Sequence, residues 1–162
     1  VAVVNRVGFG FDLHPLVTGR PLVLGGVTVP SPVGLDGHSD ADVLSHAVGE
    51  ALLGALALGD LGRHFPDTDP RWRGISSLLL LRQVVELVRG RGATLVNVDA
   101  TVLAQAPKLA PHLGDMAKRL ADVLDLPVER VSVKAKSPEG LGLVGRREGI
   151  AAMAVVSLEV RE

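Results

Sequence analysis

The chain has 162 residues with 17 basic and 18 acidic side chains, so no net charge draws it to nucleic acid or to an anionic membrane. Aromatic residues make up 2% with no tyrosine, which disfavours base stacking, and no apolar run approaches the roughly 18 residues that would span a bilayer. Cysteine is absent, so disulfides and thiolate metal sites are excluded and any metal must be held by histidine and carboxylate.

Taken in chain order, residues 2–13 are rich in Val and Phe and predict a strand. Within it, "GFDLHPL" places Asp12 and His14 two apart, hence on one side of the strand, and Pro15 is expected to stop pairing just after them. Residues 21–30 form two short apolar runs joined by Gly25-Gly26, a hairpin signal. A long helix is expected within 34–60, capped by Ser39 or Asp40, with apolar positions at Val43, Leu44, Ala47, Val48, Ala51 and Leu52. Asp42, His46 and Glu50 fall on one stripe of that helix. Residues 60–74 are turn-rich and read as a loop. A second helix is expected over 75–92, ended by Gly90 and Gly92, a strand over 94–105, a third helix over 108–126 and strands over 130–136 and 149–160. Between the last two strands, 137–148 is a glycine-rich loop. There are no repeats, linkers or low-complexity tracts.

This order of elements implies one α+β domain over 1–162, with a mostly four-stranded mixed sheet packed on helices plus a small hairpin. No secretory leader is read, so the expected location is the cytoplasm, or the plastid if the source is a plant or alga.

Taken alone, Asp12 and His14 also suit a surface acid and histidine at a strand end, and His46 suits an ordinary helix histidine. Together, Asp12, His14 and His46 offer three nitrogen and oxygen ligands with one position left open, the pattern of a catalytic zinc-type site. The start of the first helix at "GHSD", Lys108 at the start of the third, the cluster of Lys134, Lys136, Ser137 and Glu139, and Arg146 with Arg147 are candidate phosphate contacts, although each taken singly better suits an ordinary solvated loop. No P-loop, nucleophile elbow or dinucleotide fingerprint is present.

The motifs "GFDLHPL", "HSDAD", "GDLGRHFPDTDP", "AQAPKLAPH" and "VSVKAKSPEGLGLVGRREGIAA", in that order and over nearly the whole chain, closely resemble the 2-C-methyl-D-erythritol 2,4-cyclodiphosphate synthases of the non-mevalonate isoprenoid pathway. The resemblance implies conversion of 4-diphosphocytidyl-2-C-methyl-D-erythritol 2-phosphate to the cyclic diphosphate with release of CMP. It implies a homotrimer with sites between subunits, a zinc-type ion, and a second divalent ion, magnesium or manganese, with the substrate diphosphate. On it, Asp12, His14 and His46 become metal ligands, Glu139 the acid linked to the second ion, and His38 and Ser137 catalytic. Substrate contacts fall on Ser39, on Asp60, Leu61 and Gly62, and on Phe65, Pro66, Asp67, Thr68 and Asp69. A cytosine loop falls on Ala104, Gln105, Ala106, Pro107, Lys108, Leu109 and Ala110, and further contacts on Lys136, Leu143 and Arg146. Phe11, Leu143 and Arg146 are expected near the threefold axis, where a prenyl diphosphate or phosphate could bind.

The chain departs from the family pattern at several points. Ala41 stands for a glycine and is expected inside a helix; "KSPE" replaces "TTTE"; Leu143 replaces Phe; Arg147 replaces a glycine; Glu50 stands where Asp is common; and Met153 replaces a Glu. A zinc-dependent phosphoesterase and a non-catalytic trimeric binding module are the other classes compatible with these residues.

Overall fold

The computed structural model describes residues 1–162. The first strand, β1 (Val3–Thr18), is long because Val and Phe alternate with small or polar residues along it. It is followed by β2 (Leu22–Leu24), β3 (Val27–Val29) and β4 (Val33–Leu35), then by helix α1 (Val43–Ala55). The short helix α2 (Leu61–His64) precedes α3 (Ser77–Gly90) and strand β5 (Ala93–Leu103). Helix α4 (Leu113–Leu124), strand β6 (Val131–Lys136), the short helix α5 (Gly142–Gly145) and strand β7 (Gly149–Arg161) complete the chain.

The main sheet has five strands in the order β4-β1-β7-β5-β6, and β2 pairs with β3 as the expected hairpin. The expectation of four strands missed β4, which pairs with Leu16–Thr18. Pro15 does not end β1. It sits where the partner changes from β7 to β4, and its carbonyl still accepts from the Asp36 amide, so its missing N–H leaves no ladder bond unmade. The β5 and β6 strands are parallel and joined through α4; the other sheet neighbours are antiparallel.

Other boundaries also moved. Helix α1 starts at Val43 with Asp42 as its cap, because the Asp42 carboxylate accepts from Ser45 N at 3.0 Å while the same group takes Gly25 N and Gly26 N of the hairpin at 2.9 and 2.8 Å. Ser39 and Asp40 therefore lie before the helix, and the "GHSD" segment is not its N-terminus. Ala41 is not helical either: it has φ 57°, the left-handed region in which a glycine would be unstrained. Arg147, the other replacement of a glycine, has φ 62°. Lys108 precedes α4 by five residues, with a 3₁₀ turn at Ala110–His112 between them. The 60–74 loop contains α2 and a 3₁₀ turn at Pro70–Trp72, and the 137–148 loop contains α5.

One face of the sheet carries α1, α3 and α4 over a core built from Leu44, Leu52, Leu81, Leu120, Ile150 and Leu158. Contact of α1 with β1 is at backbone distance: a Cβ on Gly8 would lie 1.8 Å from the Ala51 carbonyl oxygen, and one on Gly10 would lie 1.9 Å from that of Ala47. The opposite face is bare. Val7, Phe9, Phe11, Leu13 and Val155 stand out from it, with Phe9 61% exposed. Phe11 thus faces away from Asp12, as strand alternation requires. No helix is long and apolar enough to cross a membrane.

Candidate functional site

The glycine contact between β1 and α1 brings two sequence-distant candidate ligands together. Asp12 is on the helix side of β1, and His46 is one residue before Ala47 on the helix turn that Gly10 touches. His46 Nδ1 lies 2.9 Å from Asp12 Oδ2, and His14 Nε2 lies 2.9 Å from the same oxygen. The ligand atoms of Asp12, His14 and His46 all fall within 4.8 Å of one another.

The donor set fits a cation. His14 Nδ1 lies 2.9 Å from the Asp36 carbonyl oxygen, which can only accept, so that nitrogen carries the proton. A neutral His14 consequently turns the lone pair of Nε2 toward Asp12. A carboxylate facing imidazole lone pairs needs positive charge between them. Without a metal, a proton fills that role. The hydrogen bond that His14 donates to Asp12 raises the His14 pKa, outweighing the effect of burial. Burial alone would raise the Asp12 carboxyl, but hydrogen bonds from His14 and His46 hold it well below the usual carboxylate range. A divalent ion would displace these protons.

A cavity of about 370 Å³ opens beside these three residues. Gly37, His38, Ser39, Glu50, Leu61, Gly62, Phe65, Asp67, Trp72 and Leu80 form the rest of its wall. Burial raises the Glu50 carboxyl above its ordinary range, with Asp12 and Asp60 adding repulsion. His38 is held by its Nε2, 3.0 Å from the Asp69 carbonyl oxygen. Asp60 caps α2 by accepting from Arg63 N at 3.0 Å, which fixes Leu61 and Gly62 at the cavity edge. A second, polar cavity of about 800 Å³ shares Gly37, His38, Ser39 and Asp67 with the first and adds Arg20, Thr68 and Arg73.

The other anticipated contacts are elsewhere within the chain. Ala104 to Ala110, Lys136, Ser137, Glu139, Leu143 and Arg146 line neither cavity. Lys136 ends β6, Leu143 is within α5, and the others follow β5 and β6 or flank α5. The β5 and β6 strands are the second and third from β1, roughly 10–14 Å away at ordinary strand spacing. Two of these loops are tied together: Gln105 Oε1 accepts from Gly140 N at 2.9 Å. Ser137 Oγ accepts from Glu139 N at 3.2 Å, and Arg146 Nε donates to Glu148 Oε2 at 2.5 Å. Pro66 lies in the turn between Phe65 and Asp67, and Asp69 binds Arg71 in addition to His38.

Trp72 and Leu80 in the wall were not anticipated, nor were the parts played by Arg20, Ser77 and Asp40. Arg20 donates to the carbonyls of Gly37 and Ser39, both at 2.8 Å, and pins the segment carrying His38. Ser77 and Asp40 stand behind His46. A basic residue before the hairpin was the available signal for Arg20; nothing in local spacing marks Ser77. Asp42 does not share the stripe of His46 and Glu50 in a functional sense, because its carboxylate is fully buried and spent on the hairpin and the helix cap. Burial raises its pKa.

Comparison with known proteins accords with this site. The sequence model of the YgbB family matches residues 5–159. A 2-C-methyl-D-erythritol 2,4-cyclodiphosphate synthase from Syntrophobacter fumaroxidans is 63% identical over 153 residues, covering 94% of this chain and 96% of that protein. A solved structure of a synthase of the same name in a CDP-bound form superposes with a TM-score of 0.87 at 44% identity, covering 94% of this chain and 99% of that one. The bifunctional IspDF from Campylobacter jejuni superposes with a TM-score of 0.95 at 42% identity, over 99% of this chain but 44% of that larger one.

Proposed function

The chain belongs to the YgbB family, and on that premise we propose that it is a phosphorus–oxygen lyase that cyclises 4-diphosphocytidyl-2-C-methyl-D-erythritol 2-phosphate to 2-C-methyl-D-erythritol 2,4-cyclodiphosphate and releases CMP. The observation that carries this reading is the convergence of Asp12, His14 and His46 on the wall of a cavity that His38 and Ser39 also line.

An oxygen of the substrate's own 2-phosphate attacks the β-phosphorus of its diphosphate. The new O–P bond forms as the bond from that phosphorus to the bridging oxygen breaks, and CMP leaves with the electron pair. A phosphate monoester has its second pKa near ~6, so the nucleophile is largely dianionic at neutral pH and needs no general base. Asp12, His14 and His46 would hold a zinc-type ion and Glu139 a magnesium or manganese ion, and such ions supply the positive charge that offsets repulsion between the two phosphates. His38, steered by Asp69, and Ser39 orient the 2-phosphate. Leu61, Gly62 and Phe65 enclose the methylerythritol carbons, and Asp60, Pro66, Asp67 and Thr68 shape the rim. Holding both ends of one molecule makes the attack intramolecular, which lowers the barrier by up to ~7–11 kcal/mol.

The cytosine-binding segment Ala104–Ala110, with Lys136, Ser137 and Glu139, acts on the cavity of a neighbouring subunit in a homotrimer. Two observations support this: those residues lie away from their own chain's cavity, and the sheet face bearing Phe9 and Phe11 is uncovered. At the trimer axis Arg146 would meet its copies, with Leu143 and Phe11 nearby. Its bond to Glu148 relieves part of the like-charge repulsion that the missing Glu at Met153 leaves, and a phosphate or prenyl diphosphate would relieve the rest. The enzyme works in the cytoplasm, or in a plastid in a plant or alga.

Incubation of the protein with the cytidyl substrate and magnesium, followed by phosphorus NMR, tests the reaction. The cyclic diphosphate and CMP are the expected products. Inorganic phosphate with an acyclic product would replace this reading with a phosphoesterase, and no turnover by metal-loaded protein would leave a binding module.

A further inference from the structure

His46 presents Nδ1 to Asp12 and Nε2 to the interior, where a chain of oxygens awaits it. Ser77 Oγ lies 2.7 Å from His46 Nε2, and the same hydroxyl makes a short hydrogen bond to Asp40 Oδ1. Asp40 Oδ2 accepts from the Ser77 backbone N–H at 3.1 Å, so the carboxylate grips Ser77 at two points and caps α3 in doing so. Ser39 Oγ approaches both groups, 3.3 Å from Ser77 Oγ and 3.2 Å from His46 Nε2. Ser77 is 1% exposed, so water does not compete for its hydroxyl.

The direction of the chain follows from its end group. An ionised carboxylate only accepts, so the Ser77 hydroxyl hydrogen points at Asp40. Its oxygen is then left with lone pairs, and these can accept the Nε2–H of His46. A neutral imidazole carries one ring proton, and with that proton on Nε2 the lone pair is on Nδ1, facing Asp12 and His14. Without Ser77 and Asp40, Asp12 would draw the proton to Nδ1 and cover the atom that must bind metal. We propose that Ser77 and Asp40 are positioning residues that hold the His46 proton on Nε2 and so ready Nδ1 for a divalent cation. Their role rests on the reading of Asp12, His14 and His46 as metal ligands.

Zinc titration of the metal-free full chain by calorimetry, with thermal melts as a check on folding, tests this. Loss of a hydrogen bond behind a ligating imidazole lowers metal affinity by about 10–100-fold, the drop expected for Ser77→Ala. Ser77→Thr keeps the hydroxyl and should restore affinity to within about threefold of the parent. Asp40→Asn is nearly isosteric, yet its amide can donate to Ser77 and turn the hydroxyl hydrogen toward Nε2. Zinc affinity should fall there too, which keeps the test decisive if Ser77→Ala does not fold. In the zinc-loaded, ¹⁵N-histidine-labelled parent, the His46 Nε2–H should exchange slowly with water, and quickly in Ser77→Ala. Unchanged zinc affinity in folded Ser77→Ala and Asp40→Asn would overturn the proposal. Failure of the parent itself to bind zinc would instead overturn the metal reading beneath it.

Discussion

Gly10 and Ala47 meet backbone to backbone, so closely that a Cβ on Gly10 would stand 1.9 Å from the Ala47 carbonyl oxygen and 2.7 Å from Ala51 N. Ordinary packing of a helix on a strand keeps side chains between the two backbones. Here the gap is closed by two glycines on β1 and by Ala47, Ala51 and Ala55 on α1. That closeness lets the short side chain of Asp12 reach the ring of His46, with Oδ2 2.9 Å from Nδ1.

Gly10→Ala should therefore be among the most destabilising single methyl additions in the chain. The obstacle is backbone of a buried helix, which cannot move aside alone, and overpacking of this kind costs about 3 kcal/mol. A fall of roughly 6–12 °C in melting temperature is expected from that cost in a domain of this size, with loss of zinc affinity as α1 is pushed away. A melt within about 2 °C of the parent would show that α1 moves off β1 easily.

Arg147→Gly should do the opposite. Arg147 is exposed and has φ 62°, a conformation that costs an L-residue about 1 kcal/mol and a glycine nothing. Part of the gain is lost to the greater freedom of glycine in the unfolded chain. The expected net effect is a rise of about 1–3 °C in melting temperature. A fall would mean that the Arg147 side chain makes a stabilising contact in the assembled protein.

His46→Ala should abolish tight zinc binding and reduce turnover below about 1% of the parent, while circular dichroism keeps the parent's helix content. Removing one of three protein ligands leaves too few for a catalytic-type site. Metal analysis after dialysis against zinc checks it. Retention of stoichiometric zinc by the variant would move the metal centre away from Asp12 and His14.

Mixed oligomers check the shared site. His46→Ala and Lys108→Ala chains, each inactive alone, should regain activity when subunits are exchanged, because some cavities then pair an intact Lys108 loop with an intact His46. No recovery after exchange proven by mass spectrometry would mean that each chain serves its own cavity.

Phe9→Asp should break the oligomer. Phe9 is 61% exposed in the single chain and pairs with Val155 at the centre of the bare sheet face. A carboxylate buried there in an assembly costs several kcal/mol. Sedimentation should show monomers with the circular dichroism of the parent. An unchanged mass would place the subunit contact on another face.

The pairing of Asp12 with His14 was legible in the sequence because it is local: the two share a strand side by period, whereas His46, 34 residues from Asp12, joined them as a candidate ligand only through its residue type and the family resemblance. The hairpin was legible from Gly25-Gly26 for the same reason. What stayed hidden depends on long-range partners. The three-residue β4 contains Gly34 and is too short to show alternation; it is a strand because β1 continues past Pro15 to meet it. Asp42 matches the stripe of His46 and Glu50 in spacing, but the hairpin amides 16 and 17 residues upstream decide its role. Ser77 reaches Asp40 across 37 residues, and no local pattern predicts that. The positive φ of Ala41 did have a signal, the glycine usual at that position in the family, but the expected helix hid it because the cap at Asp42 starts α1 later.

The bond from Gly140 N to Gln105 Oε1 makes one amide proton a reporter on two loops. Ala104–Ala110 and Ser137–Leu141 leave the sheet from different strands, yet neither can rearrange far while that proton is held. Its exchange with heavy water thus registers disorder in either loop, before any substrate, product or neighbour is added. A nucleotide that settles on one loop would slow the same proton through the other, so a single resonance in a labelled sample can follow assembly and ligand arrival as separate events.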